Sequence, residues 1–153
     1  MKKLLYFVIC AILVFSTLGI SVASAKTATL QTEKVVFSDG SYCIAIIEET
    51  SVNEYARAQA TKTGTKTNYY YNANDELQFY VVVRGTFVYD GTTATATDSH
   101  CGYSIVNTAW SFVSGRSGHA ANSALASCTF YETFLGNVTL SVALYCSPTG
   151  VLS

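Results

Sequence analysis

The sequence predicts an all-β protein, an antiparallel β-sandwich of about eight short strands, and three observations support this fold class. Apolar and polar residues alternate with a period of two over 77–89 and 138–146. Turn-forming residues separate the strand-like segments at short intervals. Threonine is abundant and proline occurs once, at Pro148, and β-branched threonine favours strands. An immunoglobulin-like, Greek-key arrangement is the expected architecture, and a small β-barrel is the alternative.

The first 25 residues have the pattern of a secretory signal peptide. Lys2 and Lys3 form a basic start, residues 4–20 are nearly all apolar, and Ala23-Ser24-Ala25 is a small-residue cleavage site. A transmembrane anchor is the alternative, but the apolar segment is short for a span and leads into small residues. We therefore expect cleavage after Ala25, a secreted single domain over 26–153, and no membrane span in the mature chain.

Four elements are expected in the first half of the mature chain. An edge strand over 29–37 precedes an apolar segment over 42–47 that has the composition of a central strand. One helical turn is expected near 51–57, and a strand rich in threonine and tyrosine covers about 60–71. The cluster Asn72-Ala73-Asn74-Asp75 then predicts a turn.

The segment 77–89 is the clearest strand in the chain. Its odd positions are apolar except for Gly85, whereas Gln78, Arg84 and Thr86 fall on the other face. Gly85 indicates a bulge or a close approach of another backbone. Asp90-Gly91 predicts a type I′ turn into a strand at 92–97. The three strands between residues 60 and 97 should therefore form an antiparallel meander.

Four further strands are expected in the last third, at about 101–105, 109–114, 119–133 and 138–146. Segment 114–119 contains two glycines and is interpreted as a flexible hairpin loop. Leu135-Gly136-Asn137 supplies the turn between the last two strands. In the segments 119–133 and 138–146, apolar residues at even positions form one face that includes Cys128 and Cys146, so both cysteines are expected on core faces.

Four cysteines remain in the mature chain: Cys43, Cys101, Cys128 and Cys146. An even number in an exported protein favours two structural disulfides that clamp the sheets, and three connectivities are possible. We expect Cys101–Cys146 and Cys43–Cys128, with free thiols or a zinc site as alternatives. Since no pair of ligands has the spacing of a zinc finger or ribbon, no metal or other cofactor is expected.

The charge balance limits the classes of partner. Nine basic and ten acidic side chains give a net charge of −1, so the chain lacks the basic surface that nucleic-acid binding requires. High apolar content with low charge also argues against a disordered chain. Edge strands rich in threonine and poor in charge leave self-association open.

Two segments resemble small secreted β-proteins of Gram-positive bacteria of the Firmicutes. They are residues 64–91, GTKTNYYYNANDELQFYVVVRGTFVYDG, and the ending CSPTGVLS. The resemblance covers about residues 60–153. It implies an exported, all-β domain and indicates no catalytic or binding residue.

The candidate binding residues are aromatic and loop side chains. Consecutive tyrosines at 69, 70 and 71 must place at least one ring towards solvent, and Tyr80 lies on the less apolar face of its strand. Exposed tyrosines provide a large contact area at low entropic cost. Arg116 and His119, in the expected loop 114–119, are further candidates. The binding set is Tyr69, Tyr70, Tyr71, Tyr80, Arg116 and His119.

A chemical alternative is an extracellular hydrolase or thiol enzyme around His100, Cys101 and His119. Asp98 would orient the ring of His100, which in turn would activate a cysteine nucleophile. Adjacent residues of a strand point to opposite faces, however, so His100 and Cys101 are badly placed to touch. We expect a secreted, non-enzymatic module that binds a glycan or protein partner, with the enzyme and an antimicrobial or toxin-like protein as alternatives.

Overall fold

A computed structural model describes residues 28–54 and 59–153 and contains eight antiparallel strands in two sheets. The expected signal peptide and its cleavage site lie outside the described residues. The strands are β1 (Ala28–Val36), β2 (Tyr42–Glu54), β3 (Ala60–Tyr71), β4 (Leu77–Tyr89), β5 (Ala94–Ile105), β6 (Ser111–Ala120), β7 (Ser123–Glu132) and β8 (Gly136–Tyr145).

The two sheets pack as an open sandwich, which confirms the predicted fold class; they do not close into a barrel. Strands β1 to β5 form one sheet in chain order, and β6 to β8 form the other. The connection through 106–110 carries the chain from the first sheet to the second. Because every other described connection between consecutive strands pairs them directly, the sheets are two meanders and lack the expected Greek-key connection.

Several strands are longer than the sequence pattern predicted. The expected strands at 92–97 and 101–105 are one continuous strand, β5. Residues 51–54, expected in a helical turn, extend β2, and residues 55–58 lie outside the described part. Segment 114–119, expected as a loop, belongs to β6 and pairs with β7. A side-chain β-carbon on Gly115 would lie 3.2 Å from the Cys128 sulfur, so this glycine serves packing rather than flexibility.

The turn between β4 and β5 is longer than the type I′ turn predicted from Asp90-Gly91. Its four residues run from Asp90 to Thr93, and Gly91 adopts a φ of +86°. The Asp90 carboxylate accepts hydrogen bonds from the backbone N–H groups of Thr92 at 2.9 Å and Thr93 at 2.7 Å. These bonds lower the pKa of Asp90 and fix the loop as an Asx-type turn.

The core lies between the three-stranded sheet and the inner side of strands β2 to β5. On β4, Phe79, Val81, Val83 and Phe87 point inward and are fully buried. Strand β8 packs on β3 and β4, whereas β1 and β2 extend beyond it. At Gly85 an added β-carbon would lie 2.6 Å from the Ala124 β-carbon. The close approach predicted at Gly85 is therefore the contact between the two sheets.

A buried polar network closes one end of the sandwich. The Gln78 Oε1 atom accepts hydrogen bonds from Trp110 Nε1 at 3.1 Å and Asn107 Nδ2 at 2.7 Å, and Gln78 Nε2 donates to the Glu76 carbonyl at 2.8 Å. Gln78 lies at a β-bulge, because Tyr70 pairs with Phe79 and Tyr71 with Leu77. The bulge removes Gln78 from the outward row that its even position predicted.

Candidate binding face

The three consecutive tyrosines separate onto the two faces of the five-stranded sheet. Tyr70 points inward, is 7% exposed, and stacks on Phe79 with ring centroids 4.9 Å apart. Tyr69 and Tyr71 point outward, as strand alternation requires. Tyr70, one of the predicted binding residues, is therefore part of the core, while its two neighbours remain partly exposed.

The outward tyrosines gather near the strand ends that carry the turn 72–76. Tyr69 pairs with Tyr80 across β3 and β4, and their ring centroids lie 5.3 Å apart. Tyr42, from β2, stacks on Tyr71 at 4.9 Å with the ring planes only 10° from parallel. We call the outer surface formed by Tyr42, Tyr69, Tyr71 and Tyr80 the tyrosine face.

Tyr42 is the member of this face that was not among the predicted binding residues. Its neighbour Cys43 was placed in a buried strand, and alternation along that strand puts Tyr42 on the opposite, outer side. The Lys34 ammonium nitrogen lies 3.6 Å from the centroid of the Tyr42 ring, within the range of a cation–π contact. Tyr42 is only 9% exposed. Its main contribution is therefore to hold the Tyr71 ring in place, and it offers little accessible surface of its own.

Polar and charged groups flank the tyrosine face in ordered rows. Next to Tyr69 and Tyr80, the outer row contains Ile46, Thr67 and Val82, which are register partners. The following row contains Glu48, Thr65, Arg84 and His100. The outer face thus changes along the strands from aromatic through apolar to charged.

Two phenols of this face, those of Tyr42 and Tyr69, have raised pKa values. Burial, and secondarily the negative charge of Glu48, raises the pKa of Tyr69. Burial and a hydrogen bond with Asp75 raise the pKa of Tyr42. A neutral phenol can both donate and accept a hydrogen bond while its ring supplies apolar area. The face can therefore bind an uncharged ligand that has both hydroxyl groups and apolar C–H surface.

The structure separates Arg116 and His119, although both belong to β6. Arg116 pairs with Ser127 and borders a shallow depression of about 370 Å³ on the outer face of the three-stranded sheet. Small residues line most of it, including Gly118, Ser141 and Ala143. His119 pairs with Ala124 and points to the opposite face of the strand. Arg116 and His119 therefore lie in a strand rather than in a loop, and their side chains do not form one ligand-binding site.

The residues of the thiol-enzyme alternative do not converge either. His100 points outward, and its Nε2 atom lies 2.9 Å from the Asp98 carboxylate in an exposed pair. Cys101 points inward, where its sulfur lies 3.1 Å from that of Cys128. His119 lies on a different sheet. The described residues hold no cluster of three or more potential metal ligands.

The cysteine arrangement differs from the expected connectivity. All four described cysteines are free thiols, and the close pair is Cys101 with Cys128. Cys128 and Cys146 are 1% and 0% exposed, which confirms their predicted position on core faces. Cys43 lies in the core beside Tyr70. The expected pairs Cys101–Cys146 and Cys43–Cys128 are not the ones that the structure brings together.

Comparison with family models, curated proteins and solved structures finds no match for this chain. Across residues 28–54 and 59–153, no helix has the length and apolar character needed to cross a membrane.

Proposed function

We propose that this protein is a secreted, non-catalytic module that binds a polysaccharide on the tyrosine face. The observation that carries the proposal is the grouping of Tyr69, Tyr71 and Tyr80 on a sheet face that no other part of residues 28–54 and 59–153 covers. In this position their rings add nothing to the core between the sheets. Aromatic side chains that pack outside the core are available for recognition.

The chemistry of the face matches that of a sugar chain. Pyranose rings present apolar C–H faces that stack on aromatic rings, and their hydroxyl groups form hydrogen bonds with phenols. Tyr69, Tyr71 and Tyr80 supply both kinds of contact. Thr65 and Thr67 add hydroxyl groups on the same face. Neighbouring strands lie about 4.8 Å apart, so the face, which spans three strands, is wider than a single sugar ring.

A protein partner is the second candidate, and the tip of the β7–β8 hairpin favours it. Phe134 is 92% exposed and Leu135 60% exposed. The Glu132 carboxylate accepts hydrogen bonds from the backbone N–H groups of both residues at 2.8 Å. The hairpin therefore presents two apolar side chains in a fixed conformation, a feature of preorganised protein-binding loops.

Sedimentation with insoluble polysaccharides tests the proposal directly. Purified protein is mixed with chitin, cellulose or isolated bacterial cell walls, and the bound fraction is measured. We expect Tyr69→Ala and Tyr80→Ala each to weaken binding about tenfold or more. Tyr131→Ala is the matched control, because Tyr131 is 43% exposed on the outer face of the three-stranded sheet, and it should bind like the unaltered protein.

Three outcomes would overturn the polysaccharide proposal. The first is that the unaltered protein binds none of these polymers. The second is that Tyr131→Ala weakens binding as much as Tyr69→Ala. The third is that Phe134→Ala abolishes binding while Tyr69→Ala retains it, which would favour the hairpin tip as the contact surface. Thermal unfolding of each variant establishes that the altered proteins remain folded.

A further inference from the structure

We propose that Cys101 and Cys128 form a disulfide that links the five-stranded sheet to the three-stranded sheet, while Cys43 and Cys146 remain buried thiols. Cys101 belongs to β5 and Cys128 to β7, and their sulfur atoms are 3.1 Å apart. A disulfide bond is about 2.05 Å long, so closing it requires a movement of roughly 1 Å.

The positions of both cysteines are fixed by strand pairing. Cys101 pairs with Val83 of β4 on the inner side of its sheet. Cys128 lies on the central strand of the three-stranded sheet, between Gly115 of β6 and Leu140 of β8. Because Gly115 has no side chain, it leaves room for the Cys128 sulfur, which would lie 3.2 Å from an added β-carbon. The two sulfurs therefore meet without rearrangement of a loop.

The other two cysteines lie at different ends of the sandwich. Cys43 pairs with Tyr70, whereas Cys146 follows β8 and lies near Lys62 and Glu49. Cys43 and Glu49 belong to the same strand, and six residues of strand span about 20 Å. A disulfide requires α-carbons within about 7 Å. Cys43 and Cys146 are thus too far apart to form the second bridge.

The oxidation is balanced with a small-molecule disulfide as the electron acceptor. Cys101 is the more accessible thiol, so it attacks an oxidised glutathione molecule, forms a mixed disulfide and releases one glutathione thiolate. The Cys128 sulfur then attacks the Cys101 sulfur and releases the second. In sum, two cysteine thiols lose two protons and two electrons, and one glutathione disulfide becomes two thiols.

The surroundings of Cys128 favour a structural bridge over a redox-active one. Burial, and secondarily the neighbouring Cys101, raises the pKa of Cys128 to about 12. A thiol that stays protonated is a poor nucleophile, so closure in the folded protein is slow near neutral pH. Refolding in a glutathione redox buffer is therefore the appropriate condition for forming the bond.

Peptide mapping of the full-length chain tests the assignment. A Cys10→Ser background leaves the four cysteines of interest. After refolding with oxidised glutathione, free thiols are alkylated and the protein is digested with trypsin and a glutamate-specific protease. Cleavage after Arg116 and Glu132 separates Cys101, Cys128 and Cys146 into different peptides. We expect a linked Cys101–Cys128 pair, with Cys43 and Cys146 both alkylated.

Any other linked pair, or no linked pair after complete refolding, would overturn the assignment. Thermal unfolding gives a second readout. Reductant should lower the Tm of the oxidised protein by roughly 10 °C and should leave Cys101→Ser unaffected. Cys43→Ala is the matched control and should keep the full response to reductant. Loss of that response in Cys43→Ala would contradict the proposal as well.

Discussion

The two faces of the five-stranded sheet have similar β-forming side chains but different surroundings. On β4, Phe79, Val81 and Val83 point inward and are fully buried beneath the three-stranded sheet. Tyr80 and Val82 point outward, and no second layer of the described chain covers them. The inward residues therefore contribute most to stability, whereas the outward ones form the surface to which we assign the proposed recognition.

Truncation of adjacent residues on β4 gives the largest expected contrast between these faces. Phe79 contacts Phe130 with ring centroids 4.2 Å apart and Trp110 at 4.9 Å. Phe79→Ala should therefore reduce the free energy of unfolding by about 3–5 kcal/mol. Tyr80→Ala loses mainly its cross-strand contact with Tyr69 and should cost about 1 kcal/mol or less. Urea denaturation of both variants measures the difference.

Equal destabilisation by the two substitutions would contradict this contrast between the faces. It would mean that the outer face is packed as tightly as the core. The polysaccharide sedimentation assay adds an independent measure. Tyr80→Ala should weaken binding about tenfold or more while the protein remains folded. A folded Tyr80→Ala protein that binds like the unaltered chain would leave the outward tyrosines without the role proposed for them.

A pair of glycines gives the next contrast. A β-carbon at Gly85 would lie 2.6 Å from the Ala124 β-carbon, whereas one at Gly118 meets no atom within 4 Å. Gly85→Ala should force the sheets apart and reduce the free energy of unfolding by about 1–3 kcal/mol. Gly118→Ala should change it by less than about 0.5 kcal/mol. Thermal or urea unfolding compares them, and similar values would show that the sheets tolerate separation at Gly85.

The sequence pattern was sufficient to predict strands whose residues alternate regularly between the core and the surface. The bounds predicted for β3 and β4 agree with the structure, because alternating apolar positions and strong turn formers both mark their ends. The pattern failed at β6, because a glycine can indicate either a flexible loop or a close packing contact. Gly115 indicated a flexible loop, but contact with Cys128 makes it a packing residue within β6. That contact is between strands and leaves no local signal.

The candidate face could be predicted only in part for a similar reason. Alternation alone places Tyr69 and Tyr71 on one side and Tyr70 on the other. Which side faces the core depends on the pairing of Tyr70 with Phe79, and this register includes the bulge at Gln78. Tyr42 joins the face through its stacking on Tyr71, a contact across 29 positions of sequence. Neither register nor stacking can be read from a single strand.

The smallest expected effect is on the pH dependence of the free energy of unfolding, and it comes from the inward thiol of Cys43. Burial raises the pKa of Cys43 from its ordinary value of 9.0 to about 11. Between pH 9 and 11 the unfolded chain releases this proton while the folded chain retains it, so the free energy of unfolding falls as pH rises. One proton corresponds to at most about 1.4 kcal/mol per pH unit. Below pH 9 both states keep the proton and the group contributes no pH dependence.

Urea denaturation under reducing conditions, at pH 8, 9 and 10, measures this contribution by comparison with Cys43→Ala. Tyr69 and Cys146 also have raised pKa values, so both proteins should lose stability towards alkaline pH. The unaltered protein should lose more, and the difference between the two should grow from pH 9 upward. Parallel pH dependences would mean that the Cys43 thiol reaches solvent in the folded state, and the inward face near Tyr70 would then be less closed than its burial indicates.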